Sequence, residues 1–206
     1  MRTDLNLTPG LLIQRAVWAT LCSFGIAVGT ICTALGAGED DVIRYSATTT
    51  NLDPDGLSLR FDVLAWADEE ATRAVIAALN SDGVQDALDD LPTMAYVWPE
   101  GSPVGYAAKL AKSQTTAAGE RLTFVTSKPL GSYDFGGWSV RGEAADEDLE
   151  YSVIELELNS SGNGTGIASL ASPVAIDADA NTVGLIRDEE SLELFRDVHE
   201  LETGYQ

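Results

Sequence analysis

The sequence predicts an α+β domain, mainly antiparallel β (a sandwich or barrel-like meander), with a two-helix insertion after the second strand. Three observations carry that expectation. Period-two apolar alternation recurs in short segments from residue 57 onward. Turn residues such as Asn51-Leu52-Asp53-Pro54-Asp55-Gly56 separate the segments. Two stretches between residues 68 and 92 instead repeat apolar residues at spacings of three and four.

In chain order, an export segment comes first. Arg2 and Arg15 precede an apolar run over residues 16–35, followed by Ala34-Leu35-Gly36 and then the acidic Gly38-Glu39-Asp40-Asp41. A basic start, an apolar core and a small-x-small site read as a secretory signal peptide over residues 1–36, cleaved after Gly36 or Ala37. An uncleaved anchor helix is the alternative, since an apolar run of about 20 residues can span a bilayer. Gly25, Gly29, Thr20, Thr30 and Ser23 dilute the run and favour cleavage. Residues 37–206 are then one acidic β-rich domain, exported to the periplasm or the medium.

A first strand is expected over residues 42–49. The next runs over residues 57–66, where Leu57, Leu59, Phe61, Val63 and Ala65 alternate with Ser58, Arg60 and Asp62. Asp68 caps a helix through Val75, Ile76 and Leu79, with Glu69 and Glu70 favourable in its first turn. Asn80-Ser81-Asp82-Gly83 ends it. A second helix carries Val84, Ala87, Leu88 and Leu91 and stops at Pro92. Strands follow at residues 93–98, at Val104, Tyr106, Ala108 and Leu110, at Leu122, Phe124 and Thr126, and at Ile154, Leu156 and Leu158. Residues 166–171, 174–177 and 182–186 complete a meander. Residues 191–201 suit a strand through Leu192 and Leu194 and a helix through Leu194, Val198 and Leu201; the strand is preferred.

Four stretches in this order resemble a widespread set of exported bacterial proteins of unknown function. They are residues 64–70; Tyr96-Val97-Trp98 with Gly101 and Val104-Gly105-Tyr106; residues 121–131; and residues 151–158 with Gly162, Gly164, Gly166 and residues 169–171. The resemblance spans roughly residues 57–200 and implies export and one shared domain. It implies no activity and no site residue. This chain is more acidic than that pattern over residues 143–150 and after Asp188.

Composition narrows the chemistry. The chain has 33 Asp+Glu against 12 Lys+Arg and a formal net charge of −21. Removing residues 1–36 takes away Arg2, Arg15 and Asp4 and leaves −22. Such a surface repels phosphate backbones and anionic headgroups, which argues against nucleic-acid partners. Both cysteines, Cys22 and Cys32, lie in the export segment, so the domain has no disulfide, zinc-thiolate site or thiol nucleophile. The one histidine, His199, lies in a charged stretch, and there is no G-x-S-x-G elbow. No cofactor fingerprint is present: Gly162-Asn163-Gly164-Thr165-Gly166 has no βαβ context, and reads as a hairpin whose bare backbone receives a bulky side chain from Trp66, Trp98 or Trp138.

Three groups of residues remain as site candidates. Glu155 and Glu157 share one strand face, about 7 Å apart along the backbone. Paired carboxylates can act as acid and base in a hydrolase, although alternation with Ile154, Leu156 and Leu158 explains both as a polar face. Tyr96, Trp98, Tyr106 and Trp138 offer rigid contact area for a ligand on loops, or core packing. Asp177, Asp179, Asn181 and Asp188 match calcium-loop positions one, three, five and twelve, with Thr182 where a glycine is required. An Asx-rich hairpin turn is the simpler reading. The expectation is therefore a non-enzymatic binding or envelope-associated domain for a protein or small ligand, without stable membrane insertion after signal cleavage. A carboxylate hydrolase and a calcium-dependent binding module are the alternatives.

Overall fold

The structure is a computed structural model describing residues 42–50, 52–53, 55–132, 139–140, 150–170, 172–187 and 193–202. Two compact units are distinguished, Met1–Leu35 and Gly36–Gln206, and the description concerns the second. The expected signal peptide, Trp138 and Asp188 lie outside the described residues.

Twelve strands and two helices are described. β1 (Ile43–Thr49), β2 (Leu52–Asp53) and β3 (Ser58–Val63) precede α1 (Glu69–Leu79) and α2 (Val84–Asp89). Next come β4 (Ala95–Pro99), β5 (Tyr106–Thr115), β6 (Gly119–Thr126), β7 (Ser139–Val140), β8 (Ser152–Asn159) and β9 (Asn163–Ala168). β10 (Val174–Asp177), β11 (Thr182–Leu185) and β12 (Phe195–Leu201) complete the order. Eight of them close an antiparallel barrel in the order β1-β12-β9-β8-β6-β5-β4-β3, so the expected α+β class resolves to a barrel with the helical pair after its second strand. Closure removes the open edges that a sandwich would leave. β2 pairs with β7 in a separate two-stranded ladder.

The period-two strands meet in the barrel interior. Tyr45 and Ala47 from β1, Leu59, Phe61 and Val63 from β3, Phe124 from β6 and Ile154 and Leu156 from β8 belong to one buried cluster. Phe61 and Phe124 meet with ring centroids 5.1 Å apart. Large side chains, including Tyr106, Phe61, Phe124 and Phe195, are fully buried there. The interior is a packed core, as expected for a small eight-stranded barrel.

A second core lies outside the barrel wall. Leu110, Val125, Val153 and Ile167, from β5, β6, β8 and β9, cluster with Val75, Ile76 and Leu79 of α1, Leu88 of α2, and Val183 and Leu185 of β11. The helices and the β10–β11 hairpin thus pack on the outer face of β5, β6, β8 and β9. This corrects the expected continuous meander, because β10 and β11 leave the barrel and pair only with each other. Asp68 caps α1 as its position requires, with its side chain accepting from the Ala71 N–H at 2.8 Å.

Three departures from simple alternation have local causes. Leu110 does not share the face of Tyr106 and Ala108. The β5–β6 register shifts between Ala108 and Leu110, which sends Leu110 into the outer core and Ala111 into the inner one. Residues 195–201 are a strand, but its pairing shifts between Phe195 and Val198, where Asp197 has φ 53°. That bulge places inward residues three apart, which is why the segment also carried a helical spacing. Gly166 receives Phe195 and Leu156, not a tryptophan: a Cβ there would lie 2.6 Å from Leu156 Cδ2 and 3.1 Å from Phe195 Cδ2. Trp98 instead lies on Gly105.

Candidate functional site

The fold divides the sequence-predicted site residues between two faces of one barrel. Glu155 and Glu157 project outward from β8 beneath the β10–β11 hairpin. Glu155 is only 3 % exposed. Its Oε2 accepts from Arg187 Nε at 3.3 Å and Nη2 at 3.2 Å, and its Oε1 accepts from the Leu185 N–H at 3.3 Å. Arg187 Nη1 also lies 3.0 Å from Glu157 Oε2, while Arg121 Nη2 donates to Glu157 Oε1 at 2.8 Å. Two carboxylates and two guanidiniums therefore alternate along one network. Gly184 crosses directly above: a Cβ there would sit 2.6 Å from Glu155 Oε1. Substrate has no route to Glu155 while the hairpin is in place. The β8 alternation accounted for the shared direction of the two glutamates. It gave no sign of the cover, because that comes from residues some 30 positions away.

The loop between β10 and β11 is a tight turn. Asp177 Oδ1 accepts from the Ala180 N–H at 2.8 Å, and Asn181 takes φ 54°. Asn181 donates from its side-chain amide to the Glu69 carbonyl at 3.0 Å, which ties the turn to the start of α1. Its own carbonyl accepts from Lys112 Nζ at 3.2 Å. A lysine ammonium at the turn opposes a cation there. Among the described residues, no group of three or more His, Cys, Asp or Glu has a metal-holding arrangement.

The aromatic candidates separate. Tyr106 is 1 % exposed inside the barrel, where its hydroxyl accepts from the Gly131 N–H at 2.9 Å, so it is a core residue. Tyr96 and Trp98 stand together on the opposite, outer face of β4, with centroids 5.7 Å apart. On that face, register sets Arg60 beside Trp98 and Asp62 beside Tyr96. It also sets Ser46 beside Arg60 and His199 beside Ser46. The outward positions of β12, β1, β3 and β4 thus bring together Arg196, His199, Arg44, Ser46, Arg60 and Trp98. Among the described residues, neither the helices nor the β10–β11 hairpin join this half of the wall to a core cluster.

A cleft of about 260 Å³ opens on this face between β1, β3 and the end of β4. Ser46, Ser58, Arg60, Trp98, Glu100 and Ser102 contribute to its lining. Its far wall is a turn in which the Ser102 N–H donates to the Pro99 carbonyl at 3.0 Å and Gly101 takes φ 75°, as the third residue of a type II turn does. Arg60 lies over the Trp98 ring, 5.7 Å from its centroid, and donates from Nε to Asp62 Oδ1 at 2.9 Å. Arg44 approaches the same oxygen at 3.6 Å. The Trp98 indole nitrogen is buried without a hydrogen-bond partner. His199 Nδ1 lies 2.7 Å from the Asp197 carbonyl, and because a carbonyl only accepts, Nδ1 donates in this contact.

Sequence reasoning found Tyr96 and Trp98 but passed over Arg60, Ser46 and Ser58. The signal was available for Arg60 and Ser58, the outward positions of a strand whose inward positions were already assigned. Comparison of the chain with protein-family models, curated proteins and solved structures finds no match. Among the described residues, no helix is long and apolar enough to cross a membrane.

Proposed function

We propose that this chain is an exported, non-enzymatic binding domain that engages a partner or small ligand through the barrel face built by β12, β1, β3 and β4, which among the described residues is uncovered. Export by a cleavable segment over residues 1–36, to the periplasm or the medium, is part of the proposal, as is kinship with the exported bacterial set the sequence resembles. The contrast between the two halves of the barrel wall carries the reading. On one half, Glu155 lies buried under a hairpin and pairs with Arg187, which together with Arg121 also holds the partly exposed Glu157. The other half leaves arginine, serine and tryptophan groups around a cleft. A few convergent polar groups in a concave site mark binding.

The test is a thermal-shift screen of the exported chain against neutral sugars, sugar acids, amino acids, short peptides and divalent cations. Ligands that bind the native state raise its melting temperature. The expected hit stabilises the unaltered protein and Glu157→Gln equally and loses its effect in Arg60→Ala and Trp98→Ala. A hit abolished by Glu157→Gln, or one that the protein converts to product, overturns this reading in favour of the carboxylate hydrolase. Export is checked separately by the mass of the secreted form, which should begin at Ala37 or Gly38.

A further inference from the structure

The cleft's own groups specify a ligand more narrowly, on the premise that the uncovered face is the binding face. Among the described residues, Arg60 uses Nε for Asp62, while Nη1 and Nη2 have no partner. The Ser46 and Ser58 hydroxyls have none either. These are donors that an acceptor-rich ligand would satisfy. The two free nitrogens of a guanidinium form a fork that matches a carboxylate.

Two further features restrict the choice. Glu100 brings an acceptor to the cleft, and the serine hydroxyls both donate and accept, so hydroxyl groups on the ligand are matched as well as a carboxylate. A volume of about 260 Å³ falls just below the usual range for small-molecule sites, which suits one sugar-sized ring.

We infer that the Arg60–Trp98 cleft binds a hydroxylated carboxylate of the sugar-acid class, with the carboxylate on Arg60 and the ring hydroxyls toward Ser46, Ser58 and Glu100. The acid is either a free monosaccharide or the end of an acidic polysaccharide, and the chain's negative charge, which repels long polyanions, favours the monosaccharide.

Isothermal titration of the exported chain with D-glucuronate, D-glucose, acetate and trigalacturonate tests this. Saturable binding of glucuronate or trigalacturonate is expected, with glucose and acetate at least tenfold weaker. Tighter binding of trigalacturonate than of glucuronate identifies a polysaccharide end; the reverse identifies a free acid. Arg60→Gln should weaken the sugar acid at least tenfold, and Arg60→Lys should restore only part, because the charge returns without the fork. Circular dichroism melts of each variant establish that it is folded. Absence of saturable binding by both acids, or equal affinity in folded Arg60→Gln, overturns the inference. If both acids fail while a different ligand from the thermal screen still requires Arg60, the binding face stands and the ligand class alone is wrong.

Discussion

At Glu155 a carboxylate lies almost wholly buried beside Val153, Val183 and Leu185, and Arg187 makes that burial tolerable. A buried charge without its partner costs several kcal/mol, whereas replacing both members of a pair with apolar groups is often neutral. Arg187 keeps a third of its side chain in solvent, so the loss should be moderate. Arg187→Ala is expected to destabilise the domain by about 2 kcal/mol, and Glu155→Leu with Arg187→Leu to recover most of it. Urea midpoints of the unaltered protein, Glu155→Leu, Arg187→Leu and the double variant measure the coupling; a coupling below about 0.5 kcal/mol would mean that the two side chains act independently. Tyr45 gives a second residue-scale expectation. Burial, then the charges of Glu120 and Glu200, hold its hydroxyl pKa above the usual 10. Tyr151 is shifted in the same direction by burial and then Glu150. The native state therefore keeps protons that the unfolded chain releases. The stabilisation is complete below pH 10 and is lost as pH rises beyond it. Unfolding midpoints measured from about pH 8 to pH 11 should fall above pH 10, and Tyr45→Phe should flatten the fall. An identical profile in the variant would assign the loss to other groups.

Among the elements, the short helix α2 depends most on another part of the chain. It spans only six residues, too few to be stable alone. Leu88 anchors it to the outer core. At its C-terminal end, Lys109 donates to the Asp89 carbonyl at 3.3 Å and the Leu91 carbonyl at 2.8 Å. Lys109 sits at the β5 register shift, so the irregularity that turns Leu110 outward also accompanies the cap on α2. A positive charge at the end of a helix is favourable, and its removal leaves carbonyls without a donor. Lys109→Met should cost about 1–3 kcal/mol and speed amide exchange in α2 ahead of the barrel strands. Unchanged exchange in α2 would show that water replaces the ammonium without cost. The hairpin β10–β11 is tied down in the same way, by Asn181 to α1, Lys112 to Asn181, and Glu155 to Leu185.

The described part of the second unit is built on a closed barrel with a filled interior and an outer face covered by the helices and the β10–β11 hairpin. Closure requires β1 to meet β12, which joins residues 43–49 to residues 195–201. The β8 strand separates the two cores, with Ile154 and Leu156 in one and Val153 in the other. A side chain central to the interior should matter far more than one on the uncovered face. Phe124→Ala is expected to lose about 3–5 kcal/mol by opening a cavity opposite Phe61. Thermal or urea unfolding measures it. A loss below about 1 kcal/mol would mean that the barrel collapses around the gap, and that its interior is less tightly packed than Phe61, Phe124 and Phe195 imply.

The sequence by itself determined the local elements: the period-two strands, the Asp68 cap, the two short helices, and the segments that must turn. These follow from side-chain alternation and backbone preference over a few residues, which any window of the chain displays. It also determined the strong negative charge and the absence of cysteine after residue 32. Only the tertiary structure decided that the strands close into a barrel, because the β1–β12 pairing is a contact between distant segments with no local signature. The hairpin's place over β8 was equally non-local, and it turned Glu155 from an apparent surface acid into a buried ion-pair partner. The cleft had the same origin. Ser46, Arg60 and Trp98 are neighbours only through register, and register is set by which faces the whole fold must bury.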